Sequence, residues 1–224
     1  MPSITAHRRR GRFTGLAPAD RRAARRRLLL DAAFDLLATE GASGTTVRAV
    51  CDRAGLNPRY FYESFADLDE LVVTVYDRLL ADLRATLAVA LDAAADDLRS
   101  RVHAAVAWTV GFVDDDRRRA RVLYIESLGS ETMNRRRVAA GYELTRFIEQ
   151  DARRRRNGSE APDPVGTLTA AVLVGGITEV LTSWIEGHID VTREQLVEDL
   201  TELFVAVCDG ATMVARHRRA GADT

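Results

Sequence analysis

Lysine is missing from this sequence: all 32 basic residues are arginine, and they occur in every segment of the chain. So uniform a bias reflects overall composition, and a single arginine carries weight only through its position. Cysteine is almost as scarce. Cys51 and Cys208 are too few and too far apart for a disulfide framework or a zinc site built mainly of thiolates, so both are expected to be reduced. Five prolines and fifteen glycines exclude a collagen-like or low-complexity chain. The longest unbroken apolar run, Ala170 to Ile177, falls well short of the roughly 18 residues that cross a bilayer, and no membrane span is expected. Arg8, Arg9 and Arg10 are not followed by an apolar h-region, which argues against a secretory signal and for a cytoplasmic protein.

What remains is an ordinary globular composition, 46% apolar and 29% charged over 224 residues. A chain of this size buries about 70% of its unfolded surface, as one large domain or two modest ones. The net charge of −1 conceals an asymmetry: residues 1–65 sum to +6 and residues 66–224 to −7. The two parts are expected to meet different partners.

The periodicity is helical throughout. Residues 1–20 have no hydrophobic period and read as a basic arm. From Arg21, the spacing of Leu29, Ala32, Ala33, Leu36 and Leu37 predicts an amphipathic helix closed by Gly41. Thr46 then caps a short second helix that ends at Gly55. A third helix has Asn57 as its cap and Pro58 at its first position, with Leu56 and Phe61 placed as a hydrophobic staple. Phe61 and Phe65 share its inner face, while Arg59 and Glu63 lie opposite and Tyr60 and Tyr62 flank them. A long helix is expected from about Asp67 to Ala94. Further breaks fall near 114–116, 129–130, 157–164 and 187–191; Asn157-Gly158 ends one helix, Asp163-Pro164 opens the next, and Thr192 with Gln195 forms a capping box for the last. The expected architecture is all-α, with about nine helices and no internal repeat.

Three short helices with a tight Ala54-Gly55-Leu56-Asn57 turn have the spacing of a helix-turn-helix, and the positive N-terminal part supplies phosphate attraction. By periodicity alone, a three-helix piece of a larger bundle fits equally well. The residues add more. Leu30-Asp31-Ala32-Ala33, Gly41, Thr46-Val47, Ala54-Gly55-Leu56-Asn57 and Phe61-Tyr62 with Phe65 resemble, in order and spacing, the TetR family of transcriptional regulators. The resemblance is specific over residues 27–71; beyond it, only length, helix count and a closing apolar helix pair agree.

That resemblance implies a basic arm at 1–20, a helix-turn-helix domain at 21–66, a connecting helix at 67–95, an effector-binding and dimerisation domain at 96–217 and a tail at 218–224. It places Thr46, Arg48, Asn57, Pro58, Arg59, Tyr60 and Tyr62 at or beside positions that touch DNA. Arg48 and Arg59 can pair with guanine, and Thr46 and Tyr62 can bond phosphates. Glu63, Ser64 and Leu68 depart from the family pattern: Glu63 either orients Arg59 or accepts from a cytosine, Ser64 offers a weaker phosphate contact, and Leu68 packs in the core.

In the C-terminal part, Trp108, Phe112, Tyr124, Tyr142, Phe147 and Trp184 either line an effector pocket or fill the core. Glu179, within an apolar stretch, needs a partner if buried: an arginine or a polar group of an effector. Ile177, Leu181, Leu196, Leu200, Phe204 and Val207 are the candidate dimer interface, with burial inside one protomer as the alternative. Gly175 and Gly176 are expected to allow close helix approach. His103 and His188 stand apart from acidic or thiolate clusters, so neither a metal site nor any cofactor is expected. The expected function is a homodimeric repressor, released from a pseudo-palindromic double-stranded operator by a small molecule. A constitutive repressor without an effector and a helical enzyme are the alternatives; no nucleophile, acid and histidine constellation or phosphate loop supports the latter.

Overall fold

The computed structural model describes residues 17–155 and 164–222. Among them are nine α-helices and no strand, in agreement with the periodicity. Residues 1–16 of the arm, the Asn157-Gly158 turn and the Asp163 cap lie outside the described residues. The chain divides into two compact units, the first ending at Arg78 and the second beginning at Leu79.

In the first unit, α1 (Pro18–Gly44) begins three residues before the apolar period does. Pro18 suits the opening of a helix, and Asp20 in the first turn faces the positive end of the helix dipole; these exposed turns need no core contact. The backbone leaves helical geometry at Gly41, with φ +75° and ψ −175°, a conformation that a side chain would strain. The Thr45 hydroxyl donates to the Gly41 carbonyl at 2.8 Å and fastens the turn. In α2 (Val47–Ala54), Thr46 Oγ1 accepts from Ala49 N at 3.1 Å, and Gly55 closes the helix in the left-handed region. Then α3 (Pro58–Tyr62) follows the Asn57 cap, whose Oδ1 accepts from Arg59 N at 2.9 Å. Beneath these helices Leu29, Leu36, Leu37, Val50, Phe61 and Leu71 are fully buried, each contributing about 1.5–3 kcal/mol of transfer free energy. The start of α4 (Leu68–Ala93) is set by reciprocal caps: Glu70 N donates to Asp67 Oδ1 at 2.8 Å, and Ala66 N donates to Glu70 Oε2 at 2.7 Å. Arg78 Nη1 donates to Asp31 Oδ1 at 2.7 Å and ties α4 to α1.

The second unit holds the remainder of α4 and five further helices: α5 (Leu98–Asp114), α6 (Arg117–Ala120), α7 (Glu131–Arg155), α8 (Pro164–Ile185) and α9 (Arg193–Ala222). A π-helical turn, Arg121–Ile125, and a 3₁₀ turn, Glu126–Leu128, join α6 to α7. Helix α9 continues through residues 218–222, where the sequence suggested a tail. Its start carries the expected capping box: Thr192 N donates to Gln195 Oε1 at 3.1 Å, and Gln195 N donates to Thr192 Oγ1 at 3.2 Å. Helix α5 packs along α9, and α8 packs against both α7 and α9.

Two expectations about packing need correction. Within one protomer a Cβ on Gly175 would meet open space, and one on Gly176 would sit 3.7 Å from the Phe204 ring, an ordinary contact, so packing inside the chain requires neither glycine. Between helices the crowded glycine is Gly111, where a Cβ would fall 2.6 Å from Arg193 Nη2, the movable end of a side chain across the α5–α9 seam. Counting unbroken apolar runs also understates α8. Taken over an 18-residue window its mean hydropathy is 1.6, because threonine and glycine interrupt the run at little cost, and by length and composition it could cross a membrane. Here Val165, Ala170, Val174, Leu181 and Trp184 bury one side of it, and Leu168 and Val172 remain exposed.

Candidate functional site

The surface around α3 is built from below. Phe61 and Phe65 are buried at 0% and 2% exposure with ring centroids 5.8 Å apart, and the Asn57 and Pro58 start fixes where the helix begins. What this leaves outward is polar and aromatic. The side chains of Arg48 and Arg59 are 93% and 82% exposed, and Tyr62 is 63% exposed. Thr46, Asn57 and Pro58 are exposed as well, while Tyr60 is half-buried. The Thr46 and Asn57 side-chain oxygens are already engaged as caps, although each has a second lone pair.

Glu63 organises this face. Its Oε1 accepts from Arg59 Nε at 3.1 Å, its Oε2 accepts from Arg25 Nη2 at 3.5 Å, and its carbonyl accepts from Arg22 Nη2 at 2.7 Å. Arg25 also stacks 4.4 Å from the Tyr60 ring centroid, so α1 and α3 are clamped together at their polar edge. The two sequence-based roles for Glu63 differ here: the Arg59 contact exists within the protein. Arg22 and Arg25 carry no local signal for such a role, since their partner is some forty positions away. Ser64 is placed differently from the expectation. The short α3 ends at Tyr62, the chain turns, and the Ser64 hydroxyl is buried without a hydrogen-bond partner among the described residues. Leu68 is half-buried.

The second unit contains a partly open cavity of about 600 Å³ lined by α4, α5, α7, α8 and α9. Of the seven residues proposed from sequence for an effector pocket, Tyr124 and Phe147 line it. The other five lie elsewhere. Trp108 Nε1 donates to Thr86 Oγ1 at 3.1 Å, Phe112 is buried under the Arg119 guanidinium, and Trp184 Nε1 donates to the Val191 carbonyl at 2.9 Å. Tyr142 and Glu179 are exposed. The cavity wall is mainly aliphatic, with a buried charge that sequence reasoning missed: Arg101 donates from Nη2 to Asp151 Oδ2 at 2.9 Å and from Nη1 to the Leu91 carbonyl at 2.7 Å. Its position two helical turns ahead of Trp108 in α5 gave no hint of a partner on α7.

The six residues proposed for a dimer face divide as well. Leu181, Leu196 and Leu200 are buried within their own protomer, Ile177 and Phe204 line the cavity, and Val207 is half-buried. Apolar surface is instead left open one step around each helix, at Leu168 and Val172 of α8 and at Leu203, Met213 and Val214 of α9. Each histidine has one acidic neighbour: His103 Nε2 lies 3.4 Å from Glu198 Oε1 on α9, and His188 Nδ1 lies 3.7 Å from Glu186 Oε2, two residues before it. Among the described residues no group of three metal-ligating side chains converges. Burial pushes the thiols of Cys51 and Cys208 above the usual cysteine value, with Asp52 and Asp209 adding to the shift; that disfavours the reactive thiolate.

A capped third helix resting on two others, with Arg59 and Tyr62 turned outward beside Arg48 of α2, defines an all-α helix-turn-helix protein. Residues 29–75 match the family model of bacterial regulatory proteins of the tetR family. An uncharacterized HTH-type transcriptional regulator from Haemophilus influenzae is 33% identical over 129 residues, which span 56% of this chain and 60% of that protein. The fold is shared with solved structures. A putative transcriptional regulator from Pseudomonas aeruginosa PAO1 superposes with a TM-score of 0.70 at 21% identity, covering 92% of this chain and 98% of that one. The fatty acid degradation regulator FadR from Bacillus halodurans gives 0.68 at 15% identity, covering 80% and 94%.

Proposed function

We propose that the chain is a transcriptional repressor that binds a pseudo-palindromic DNA operator as a homodimer and is released by a small molecule held in the second unit. The observation that carries the reading is the outward set of Arg48 on α2 and Arg59 and Tyr62 on the capped α3, whose inner Phe61 is fully buried. Arginine forks held on a rigid element suit bidentate pairing with guanine in the major groove, and the excess positive charge of residues 1–65 favours phosphate. Thr46, Tyr60 and Tyr62 fit the flanking contacts; Asn57 and Pro58 set the position of the helix.

The division of labour follows the same lines: residues 21–66 read DNA, 67–95 connect, and 96–217 bind effector and partner subunit. Two such helices reading successive major grooves need half-sites about 34–36 Å apart, which requires a dimer. The exposed apolar residues of α8 and α9 favour a second copy as their cover, with Leu203 and Met213 in place of Leu196 and Leu200. Glu179 is exposed in this part of α8 and disfavours burial in lipid, which supports a cytoplasmic protein. The cavity favours a ligand-responsive regulator over a constitutive one, since about 600 Å³ falls within the range of small-molecule sites. Release follows if the effector binds better to a dimer in which the recognition helices are off the groove spacing. The Bacillus halodurans neighbour acts in fatty acid degradation, but a fold likeness at 15% identity does not bring its ligand to this chain.

Gel shifts with genomic fragments at two salt concentrations test the proposal. A specific complex should survive at the higher salt while bulk binding disappears; loss of all complexes in parallel would reduce the protein to a non-specific phosphate binder.

A further inference from the structure

The cavity wall constrains its ligand through what its polar groups have left to offer. The lining runs along α5 from Asp97 to Thr109 and along α8 from Val165 to Thr178. At about 1.5 Å per residue these stretches are about 18 and 20 Å long, so an elongated molecule fits them. Leu83 and Leu87 of α4, Val106 of α5, Leu173 and Ile177 of α8 and Phe204 of α9 give the space an apolar interior.

Among the described residues every charged side chain of the wall already has a partner. Arg101, with its side chain 10% exposed, donates to Asp151 and to the Leu91 carbonyl. Glu149 accepts from the Thr167 hydroxyl, Asp97 caps α5 by accepting from Ser100 N, and Asp96 is engaged as well. Asp96 and Asp97 are also exposed to water. A ligand carboxylate brought inside would lose its hydration and could reach a guanidinium only by breaking the Arg101–Asp151 pair. A ligand ammonium would lose its hydration for carboxylates that are already satisfied. Burial keeps the Cys208 thiol, also in the wall, in its neutral form. The interior therefore disfavours a charge of either sign.

The uncharged polar groups add a second constraint. Four threonines line the cavity, and each gives its hydroxyl proton to the carbonyl one turn back in its own helix. Thr109 Oγ1 donates to the Ala105 carbonyl at 2.7 Å, Thr169 Oγ1 to Val165 at 2.7 Å, Thr178 Oγ1 to Val174 at 2.8 Å and Thr212 Oγ1 to Cys208 at 3.1 Å. A hydroxyl committed in this way keeps its lone pairs, so toward a ligand it accepts and does not donate. Thr109 is buried and Thr169 and Thr178 are half-buried, which places three of these acceptors away from bulk water. Tyr124, the other hydroxyl of the wall, is engaged within the protein.

We infer that the cavity takes a neutral, elongated hydrocarbon bearing a hydroxyl group, with its chain along α5 and α8 and its O–H donating to a threonine oxygen of the interior. This rests on the reading of the second unit as the effector-binding part and adds the chemical class of the ligand.

The test loads the full-length protein with the neutral fluorescent probe N-phenyl-1-naphthylamine and follows its displacement by four competitors with the same decyl chain: decanol, its methyl ether, decanoate and decyltrimethylammonium, all below micellar concentrations. Decanol should displace the probe at a concentration at least tenfold below either ion and several-fold below the ether, which accepts hydrogen bonds and cannot donate them. In T109V/T169V/T178V, which removes the interior acceptors at nearly constant volume, decanol should lose its advantage over the ether while both still outcompete the ions. Should that variant not fold, at least one of the three single valine variants should show part of the same loss. A105W, which places a bulky ring in the cavity, should abolish probe binding. Either ion or the ether competing as well as decanol would overturn the inference, as would an alcohol preference unchanged in all the valine variants, probe binding retained in A105W, or no displacement by any competitor. Gel shifts with the same four compounds separate this outcome from the effector reading. Decanol that binds as described and leaves the specific DNA complex intact would support the ligand class and sink the effector reading. Release of DNA by decanoate or the ammonium, from wild type and not from A105W, would keep the effector reading and sink the ligand class.

Discussion

Replacing Glu63 with glutamine separates two kinds of electrostatic contribution on the DNA face. In the free protein the carboxylate holds Arg59 through Nε at 3.1 Å, which leaves the terminal Nη groups of the guanidinium for an outside partner, and it holds Arg25 at 3.5 Å. Exposed ion pairs contribute about 0.2–1 kcal/mol each, so E63Q should lower folding stability by about 1 kcal/mol or less. The effect on DNA has two signs. Removing a negative charge near phosphate should raise affinity for random DNA. Loss of the constraint on Arg59 should lower discrimination at the base it reads; a bidentate contact is worth about 1–3 kcal/mol, and losing about 1 kcal/mol of that is about a fivefold drop in the specific-to-random ratio. Fluorescence anisotropy with operator and scrambled duplexes at matched salt reads both effects. Because Glu63 acts through Arg59, R59A and R59A/E63Q should show nearly the same ratio, the non-additivity expected of coupled residues. Additive losses in the double mutant would show that Glu63 reads a base independently, and an unchanged ratio in E63Q would refute the positioning argument.

Other consequences follow from the same geometry. R48A/R59A should abolish operator preference in footprinting while the helical circular dichroism is unchanged, since both side chains are over 80% exposed. L203E should shift the sedimentation equilibrium from dimer toward monomer with little loss of protomer fold, because Leu203 is 61% exposed, whereas L200E should unfold the second unit because Leu200 is 3% exposed. Glu143, bonded first to Arg84 at 2.7 Å and also to Arg136 at 3.1 Å, has its carboxyl held below the usual glutamate range. The stability it contributes is therefore present above its unfolded pKa of about 4.3 and lost as pH falls through the lower folded value. Thermal melts of wild type and E143Q should accordingly converge as the pH is lowered below about 4, with a difference near neutrality of about 2–4 °C at most.

What was legible in the sequence was mainly local. The Thr46 and Asn57 caps, the Gly41 and Gly55 stops and the Thr192 and Gln195 capping box each depend on a few adjacent residues, and the structure contains them all. Early helical turns without apolar spacing escaped notice, so α1 starts at Pro18, ahead of the periodic region. The burial of the Ser64 hydroxyl depends on the chain turning just after Tyr62, which no local spacing announces. Apolar periodicity identifies a stripe that must be covered and says nothing of what covers it: Leu181, Leu196 and Leu200 are covered by their own protomer. The Glu63 clamp on Arg25 and the Arg101–Asp151 pair join residues 38 and 50 positions apart, a separation no local pattern records.

The central claim, that α3 reads DNA from a two-fold dimer, is tested most directly by selecting bound duplexes from a random pool. The account expects a consensus made of two inverted half-sites with centres about one helical turn, or a multiple of it, apart. An asymmetric motif, or a pool no richer in any sequence after selection than before, would contradict it.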